Sequence, residues 1–459
     1  MATGDGYESV LERVGERVDP DPDERAALEA AVTSLIERIE SAIDDLGVDA
    51  TVVHVGSTAR GTWVSGDRDI DVFVTFDPDL PREDLERYGL RIGRAVLPDG
   101  HLEYAEHPYV TGEHHGFAVD LVPCYDVRDA TEIQSAVDRT PFHNAYLAGR
   151  LDDTTAAAIR YFKQFLKGIG AYGSDLRRQG YSGYIAELLV LEYGGFRETL
   201  EAARDWQPPV TLDPADHAVA SFDDPLVVVD PTDPERNVAA VVSAENVARL
   251  VHFARQFLAD PDLEHFFPPE PESMDPAGVH TAIQERGTTP IAVVFAPPDL
   301  VDDQLYPQLR RSLSGLVRGL DQAGFEVLRS ATWARDRAVL FVELTVWELP
   351  AIERHEGPPV HAAEHARRFY ETYADEPVTG PYIERDRYVI EREREITTAR
   401  EFAENRLFDV ALGAQIEPAL EEGYTVLAGP AVADLATEFG PEFAAYLDPS
   451  PRSLAEVDE

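Results

Sequence analysis

Apolar residues recur at helical spacing through Leu28–Leu46, where Val32, Leu35, Ile36, Ile39 and Ile43 share one stripe and Gly47 supplies a stop. The period then changes to that of strands. Thr51–Val55 reads as a strand, Gly56–Arg68 as a loop, Ile70–Phe76 as a second strand and Phe117–Val122 as a third, all rich in β-branched residues. From Pro141 the helical period returns over Thr154–Gly168, Tyr181–Tyr193 and Ala244–Leu258, with Pro/Asp-rich joins at Gln207–Pro214 and Asp223–Pro234. Asp260–Pro276, rich in Pro and Glu, reads as a linker. Beyond it, strand Ile291–Phe295, helix Tyr306–Ala323, strands Phe325–Thr332 and Ala338–Val346 and helix Ala362–Tyr373 follow in turn. Tyr382–Ile396 and three short helical stretches finish the chain. The β-α-β-β-α order predicts an open-faced, ferredoxin-like or RNA-recognition-like unit, although the RNA-binding aromatic signature is absent. The expected fold class is α+β multidomain: an α/β domain over 1–141, a helical middle over 142–260 and an α+β domain with a tail over 261–459.

The chain has 459 residues, 44% of them apolar and 9% aromatic, which is enough for real cores. The longest apolar runs, such as Ile291–Ala296, fall far short of the roughly 18 residues that cross a bilayer. With no basic-then-apolar export signal at the N-terminus either, a soluble cytoplasmic protein without membrane partners is expected. The single cysteine, Cys124, excludes an internal disulfide, and no Cys/His cluster surrounds it to hold structural zinc.

Charge changes the picture more. The chain carries 86 Asp+Glu against 40 Lys+Arg, a net charge of −46, and only Lys163 and Lys167 among the basic residues are lysine. Acidic disorder is excluded by the apolar periodicity, and a simple nucleic-acid or membrane-surface binder would be basic. An evenly acidic, lysine-poor, well-cored chain reads as one adapted to molar salt, where the Debye length is ~3 Å or less. In such a chain a single carboxylate carries little information.

The candidate chemistry sits in Gly56-Ser57-Thr58-Ala59-Arg60-Gly61 and Asp69-Ile70-Asp71-Val72-Phe73. On a strand Asp69 and Asp71 point to one face while Ile70 and Val72 point to the other. Asp120 lies in the apolar strand Ala118-Val119-Asp120-Leu121-Val122, where an unpaired charge is expensive to bury. Three carboxylates on neighbouring strands suit two Mg²⁺ ions ~3.5–4 Å apart. The Gly-Ser loop offers a hydroxyl and close backbone approach to a phosphate, and Arg60 a cation beside it. A lone Asp-x-Asp in so acidic a chain would be a solvated turn, but that reading leaves the composite pattern unexplained.

That composite is the pattern of the polymerase-β nucleotidyltransferase superfamily. Together with Tyr104-Ala105-Glu106-His107-Pro108-Tyr109, Arg139-Thr140-Pro141-Phe142-His143, Gly180-Tyr181-Ser182-Gly183-Tyr184, Asp230-Pro231, Arg236-Asn237-Val238-Ala239 and Asp302-Asp303-Gln304-Leu305-Tyr306-Pro307, it resembles the archaeal-type (class I) CCA-adding tRNA nucleotidyltransferases. The resemblance weakens after about Trp347. It implies a polymerase-β-like catalytic domain, a helical nucleotide- and tRNA-binding domain and a C-terminal tRNA-binding domain. The activity implied is template-independent addition and repair of the tRNA 3′ CCA end from CTP and ATP with Mg²⁺, releasing pyrophosphate.

By the same resemblance, Asp69, Asp71 and Asp120 would be the catalytic, metal-binding carboxylates. Ser57 and Arg60 would contact the triphosphate, and Thr140, His143, Lys163 and Tyr172 would line the nucleotide site. Arg236 would face the base, a donor-only side chain that suits the ring acceptors of C and A. The two lysines, one helical turn apart in a chain that otherwise uses arginine, independently suggest a phosphate ligand, against chance survival on a surface helix. His143 reads equally as a helix-start histidine, Tyr172 as a packing aromatic, and Cys124 as core. Arg177, Arg178, Arg310, Arg311, Arg367, Arg368 and the 385–406 stretch are candidate RNA contacts or halves of surface ion pairs. The family allows a homodimer. A poly(A)- or oligoadenylate-forming enzyme on the same scaffold is the alternative activity. A nucleotide-binding RNA chaperone is disfavoured, since all three carboxylates are present.

Overall fold

The structure, a computed structural model, describes residues 5–104, 106–270 and 272–452. The chain divides into two compact units, Met1–Glu270 and Pro271–Glu459.

In the first unit, α1 (Asp5–Val18) precedes α2 (Pro22–Leu46), which begins with the stop-start chemistry its sequence advertises. The Asp21 side chain accepts from the Glu24 amide, Glu24 returns the bond, Pro22 opens the helix and Gly47 closes it in the left-handed conformation. Next come β1 (Ala50–Val55), α3 (Gly56–Arg60), β2 (Asp69–Phe76), α4 (Arg82–Val96), β3 (His101–Tyr104), β4 (Pro108–His114) and β5 (Phe117–Tyr125). The sheet runs β1-β2-β5-β4-β3, with β2 and β5 parallel at its centre. The predicted loop Gly56–Arg68 thus holds one helical turn, and a polar hairpin, β3–β4, with no marked apolar alternation, stands between the expected strands.

One face of this sheet packs Ile70, Val72, Val74, Val119 and Leu121 against Leu35 and Ile39 of α2 and Leu85 and Ile92 of α4. Each such side chain contributes about 1.5–3 kcal/mol on burial. A one-residue slip would exchange them for Asp69, Asp71 and Asp120, so the core pins the register that puts those carboxylates on the opposite face.

The remainder of this unit is helical: α5 (Arg139–Ala148), α6 (Asp153–Gly168), α7 (Gly183–Tyr193), α8 (Phe196–Ala203) and α9 (Ala244–Ala259). A small sheet of β6 (Val210–Leu212), β7 (Leu226–Asp230) and β8 (Asp233–Asn237) joins them. Phe162, Phe165, Leu189, Leu250 and Phe257 fill their core. The first helix of the chain belongs there too, since Val10, Val14 and Val18 of α1 pack into it.

The second unit contains α10 (Pro276–Arg286), β9 (Thr289–Phe295), α11 (Asp302–Ala323), β10 (Glu326–Ala334), β11 (Ala338–Val346), β12 (Ile352–Pro359), α12 (Ala363–Tyr373), β13 (Thr379–Glu384), β14 (Arg387–Glu393), α13 (Ala399–Asn405), α14 (Ile416–Glu422), β15 (Tyr424–Ala428) and α15 (Ala436–Leu447). Its antiparallel sheet runs β10-β11-β9-β15, a ferredoxin-like order with the first strand inside. Two expectations are corrected. The sheet is not open-faced: Ile291, Val293, Leu340 and Val342 meet α11 on one side, while Val294, Val339 and Phe341 meet Phe439 and Phe443 of α15 on the other. The uninterrupted apolar run of β11 is the mark of a strand covered on both faces. In addition, α12 does not complete this unit but packs on a separate sheet, β12-β14-β13, where Phe369 stacks on His355 and Tyr388.

Among the described residues no helix is long and apolar enough to cross a membrane. The acidic excess lies at the surface: on α2, Glu37, Glu40, Asp44 and Asp45 are all exposed, and Glu40 and Asp44 form a like-charged i,i+4 pair. Such pairs repel unless salt screens them. The chain should therefore melt much lower in ~0.1 M than in ~2 M KCl, the weak and strong screening regimes. Equal circular-dichroism melts in both would refute the screening account.

Candidate active site

The carboxylates come first from the sheet. Asp71 on β2 and Asp120 on β5 are direct neighbours across the parallel pair, and Asp69 stands one pleat from Asp71 on the same face. Burial pushes the Asp71 carboxyl up to about 6, with Asp120 and Asp69 adding to the rise and Arg60 opposing it. Asp69 is raised by burial, Asp67 and Asp120. The chain therefore holds like charges together on a surface it could have made neutral. Gly56 makes room for them: at φ +80°, a Cβ there would lie 2.1 Å from Asp71 Oδ2, so only glycine fits.

Among the described residues no three His, Cys, Asp or Glu side chains close into a metal-holding group by themselves. Magnesium is ordinarily bound by one or two carboxylates and completed by waters and substrate phosphates, so an open carboxylate face is a form it uses. Hard oxygen donors carrying mutual repulsion fit such a cation.

Beside the carboxylates lies a buried charge cluster that the sequence reading did not contain. Glu187, fully buried on α7, takes Arg60 at 2.9 Å and Lys163 at 3.0 Å. The Thr62 hydroxyl donates to the same carboxylate, Lys163 Nζ also reaches the Thr62 carbonyl at 3.2 Å, and Arg60 donates to Asn144 Oδ1 at 2.9 Å. Burial alone would raise the Glu187 carboxyl, but Lys163, Arg60 and Thr62 outweigh it and hold it below the usual carboxylate range. Lys163 is only 2% exposed, which removes the surface-helix alternative. Burial pulls the Lys163 ammonium below the ordinary lysine range even with Glu187 beside it, and Arg60 is the member of the cluster that opposes the Asp71 rise. A single glutamate in the otherwise apolar Ile185-Ala186-Glu187-Leu188-Leu189-Val190 was the signal that could have found it.

The second lysine is also spoken for. Lys167 pairs with Asp67 at 3.1 Å and lies over the Tyr172 ring at 5.4 Å. Tyr172 and Lys163 meet at Gly183, where an added Cβ would stand 3.1 Å from the tyrosine hydroxyl and 3.5 Å from Lys163 Nζ. Ser57 is half-buried on α3 and Thr140 half-buried in the first turn of α5.

A third group gathers at the β7–β8 hairpin. His143 Nε2 and Arg236 Nη1 each lie 2.8 Å from Oδ2 of the fully buried Asp230. The His143 ring stacks on Tyr184 at 4.1 Å. Arg236 stands on β8, and its partner is Asp230. Asp233 pairs with Arg139 at 3.4 Å. Elsewhere, Cys124 is buried in a small apolar cluster that pushes its thiol well up, as a core cysteine requires.

The parallel strand pair that presents the three aspartates, backed by two helices, lies within residues 36–143, which match the nucleotidyltransferase domain family. Residues 157–267 match the second domain of tRNA nucleotidyltransferases, and residues 286–429 match the C-terminal domain of the CCA-adding enzyme. The chain is 63% identical over 445 residues to the CCA-adding enzyme of Halobacterium salinarum, covering 96% of this chain and 98% of that one. It is 57% identical over 464 residues to that of Haloarcula marismortui, covering 97% and 100%, and 40% identical over 418 residues to that of Methanosarcina barkeri, covering 90% and 92%. The chain belongs to the CCA-adding enzyme family. It is an enzyme of the nucleotidyltransferase class.

Proposed function

We propose that this enzyme builds and repairs the 3′-terminal CCA of tRNA in the cytoplasm, taking CTP and ATP without a nucleic-acid template and releasing pyrophosphate. The observation that carries this reading is the Asp69, Asp71, Asp120 face, with like charges held together beside the Arg60 guanidinium. The three carboxylates would hold Mg²⁺, which when bound supplies activation of the attacking 3′-hydroxyl and neutralisation of the leaving phosphates. The chain's own residues do the rest. Asp71 and Asp120 set the reacting oxygens from one rigid strand pair, and Gly56 with Ser57 lets a triphosphate approach the backbone closely. Arg60 and Lys163 stand behind it, and Tyr172 and Thr140 bound the nucleotide.

Base choice falls to Arg236. C and A carry a ring acceptor beside an amino donor, whereas U and G place an N–H at the ring position. A guanidinium fork facing that N–H loses a hydrogen bond and buries an unpaired donor, worth ~1–3 kcal/mol or roughly ten- to a hundredfold in selectivity. Arg236→Gln should lower use of both CTP and ATP and raise the relative misuse of UTP, because an amide can turn an acceptor to the imide. Single-nucleotide incorporation of all four NTPs measures it, and an unchanged CTP:UTP preference would place base choice elsewhere.

The reading as a whole is tested by offering tRNA lacking its last three nucleotides with each NTP in turn, Mg²⁺ and molar KCl. Two C additions followed by one A are expected. Unlimited addition from ATP alone would instead identify a poly(A)-forming enzyme.

A further inference from the structure

One buried carboxylate ties together Arg236, which this reading assigns to the nucleobase, and His143, which the resemblance places in the nucleotide site. Asp230 is fully buried at the end of β7, and each of its carboxylate oxygens accepts two hydrogen bonds. Oδ1 accepts the Thr232 amide at 2.9 Å and the Thr232 hydroxyl at 2.8 Å. Oδ2 accepts both His143 Nε2 and Arg236 Nη1 at 2.8 Å. Burial would raise this carboxyl, but His143 and Thr232 hold it well below the ordinary range.

Geometry makes this more than a stabilising knot. His143 comes from α5 and Arg236 from β8, elements 93 residues apart in sequence at these positions, and Asp230 is their common acceptor. The Thr232 pair fixes one carboxylate oxygen against the turn, which leaves the other oxygen a single direction. With Nε2–H spent on Asp230, a neutral His143 keeps Nδ1 as an acceptor, and stacking on Tyr184 holds the ring plane. Arg236 spends one N–H on Asp230 and keeps the rest of its fork for other partners, at 38% side-chain exposure. The Tyr184 hydroxyl is itself buried without a partner among the described residues.

We propose that Asp230 is the positioning residue of the base-selecting pocket, setting the direction of the Arg236 fork and the tautomer of His143 through one shared oxygen. The proposal rests on the CCA-adding reading. An isolated guanidinium on a flexible stem samples many orientations and discriminates poorly, because it can follow whichever acceptor a base offers. A fork pinned at one nitrogen cannot turn to avoid an imide N–H.

The test is Asp230→Asn. An amide cannot accept on both sides, so whichever way it turns it faces either Thr232 or the His143–Arg236 pair with N–H against N–H. With truncated tRNA in molar KCl, the CTP:UTP preference should fall ~10-fold or more and KM for CTP should rise, while kcat at saturating CTP changes less. A wild type that adds no C would overturn the CCA-adding reading. A wild type that adds C and A alongside a folded variant with unchanged CTP:UTP preference overturns this inference alone. If the variant fails to fold, ¹⁵N-histidine spectra of the wild type decide, with His143 assigned by its loss in His143→Gln. The Nε2–H tautomer or the doubly protonated ring supports the shared-acceptor arrangement, and an Nδ1–H tautomer overturns it.

Discussion

Asp71→Ala and Asp120→Ala should each abolish nucleotide addition while the variants still fold and bind tRNA. The two residues are register neighbours on the central parallel pair, so together they place carboxylate oxygens where the two strands meet. Losing stabilisation of the reacting oxygens removes several kcal/mol from the transition state, and at tenfold per 1.4 kcal/mol the rate falls by about a thousandfold or more. Stability should move the other way. In the wild type Asp120 and Asp69 add to the rise of the Asp71 carboxyl, so deleting Asp71 or Asp120 relieves a repulsion and leaves no buried apolar group behind. The melting temperature in molar KCl should accordingly hold or rise. Primer-extension rates with the native tRNA substrate measure the first expectation, and more than a few per cent residual activity would remove that residue from the catalytic role.

Glu187→Ala should strongly destabilise the fold. It leaves Arg60 and Lys163 buried around a missing anion, with Thr62 having lost its acceptor as well. Breaking a buried pair by removing one partner costs about 3–5 kcal/mol, a large share of the 5–15 kcal/mol that holds a typical domain. Water admitted to the space will hydrate part of that charge, so the lower end of the range applies if the cluster opens. Denaturant unfolding in molar KCl, monitored on the helical signal, is the measurement. A loss under ~1 kcal/mol would mean that the cations find other partners and that the cluster is not the joint between the sheet and the helices. The comparison with Lys163→Met is informative, since Glu187 would there keep Arg60 and lose only one of its two cations.

The legible part of this molecule is the part decided by local geometry. Asp69 and Asp71 share a face because side chains alternate along any strand, and Ile70 and Val72 bind that face's opposite to the core. The helices over Thr154–Gly168 and Ala244–Leu258 and the strand Ala338–Val346 follow from apolar spacing and emerge within a residue or two of their expected ends. Period and capping need no knowledge of the rest of the chain.

Tertiary structure decided the partners. Arg60 and Lys163 read as free phosphate cations until α7 carries Glu187 between them from more than a hundred residues beyond Arg60. Arg236 reads only as a donor for the base until the β7–β8 hairpin turns it onto Asp230. The helix over Ala363–Tyr373 forms where its spacing predicts, yet its apolar side goes to an inserted sheet, and α15, from the far end of the unit, takes the face left open. Secondary structure is set by interactions a few residues long, whereas a long charged or amphipathic side chain commits to whichever distant group is desolvated beside it, and that choice exists only once the chain has packed.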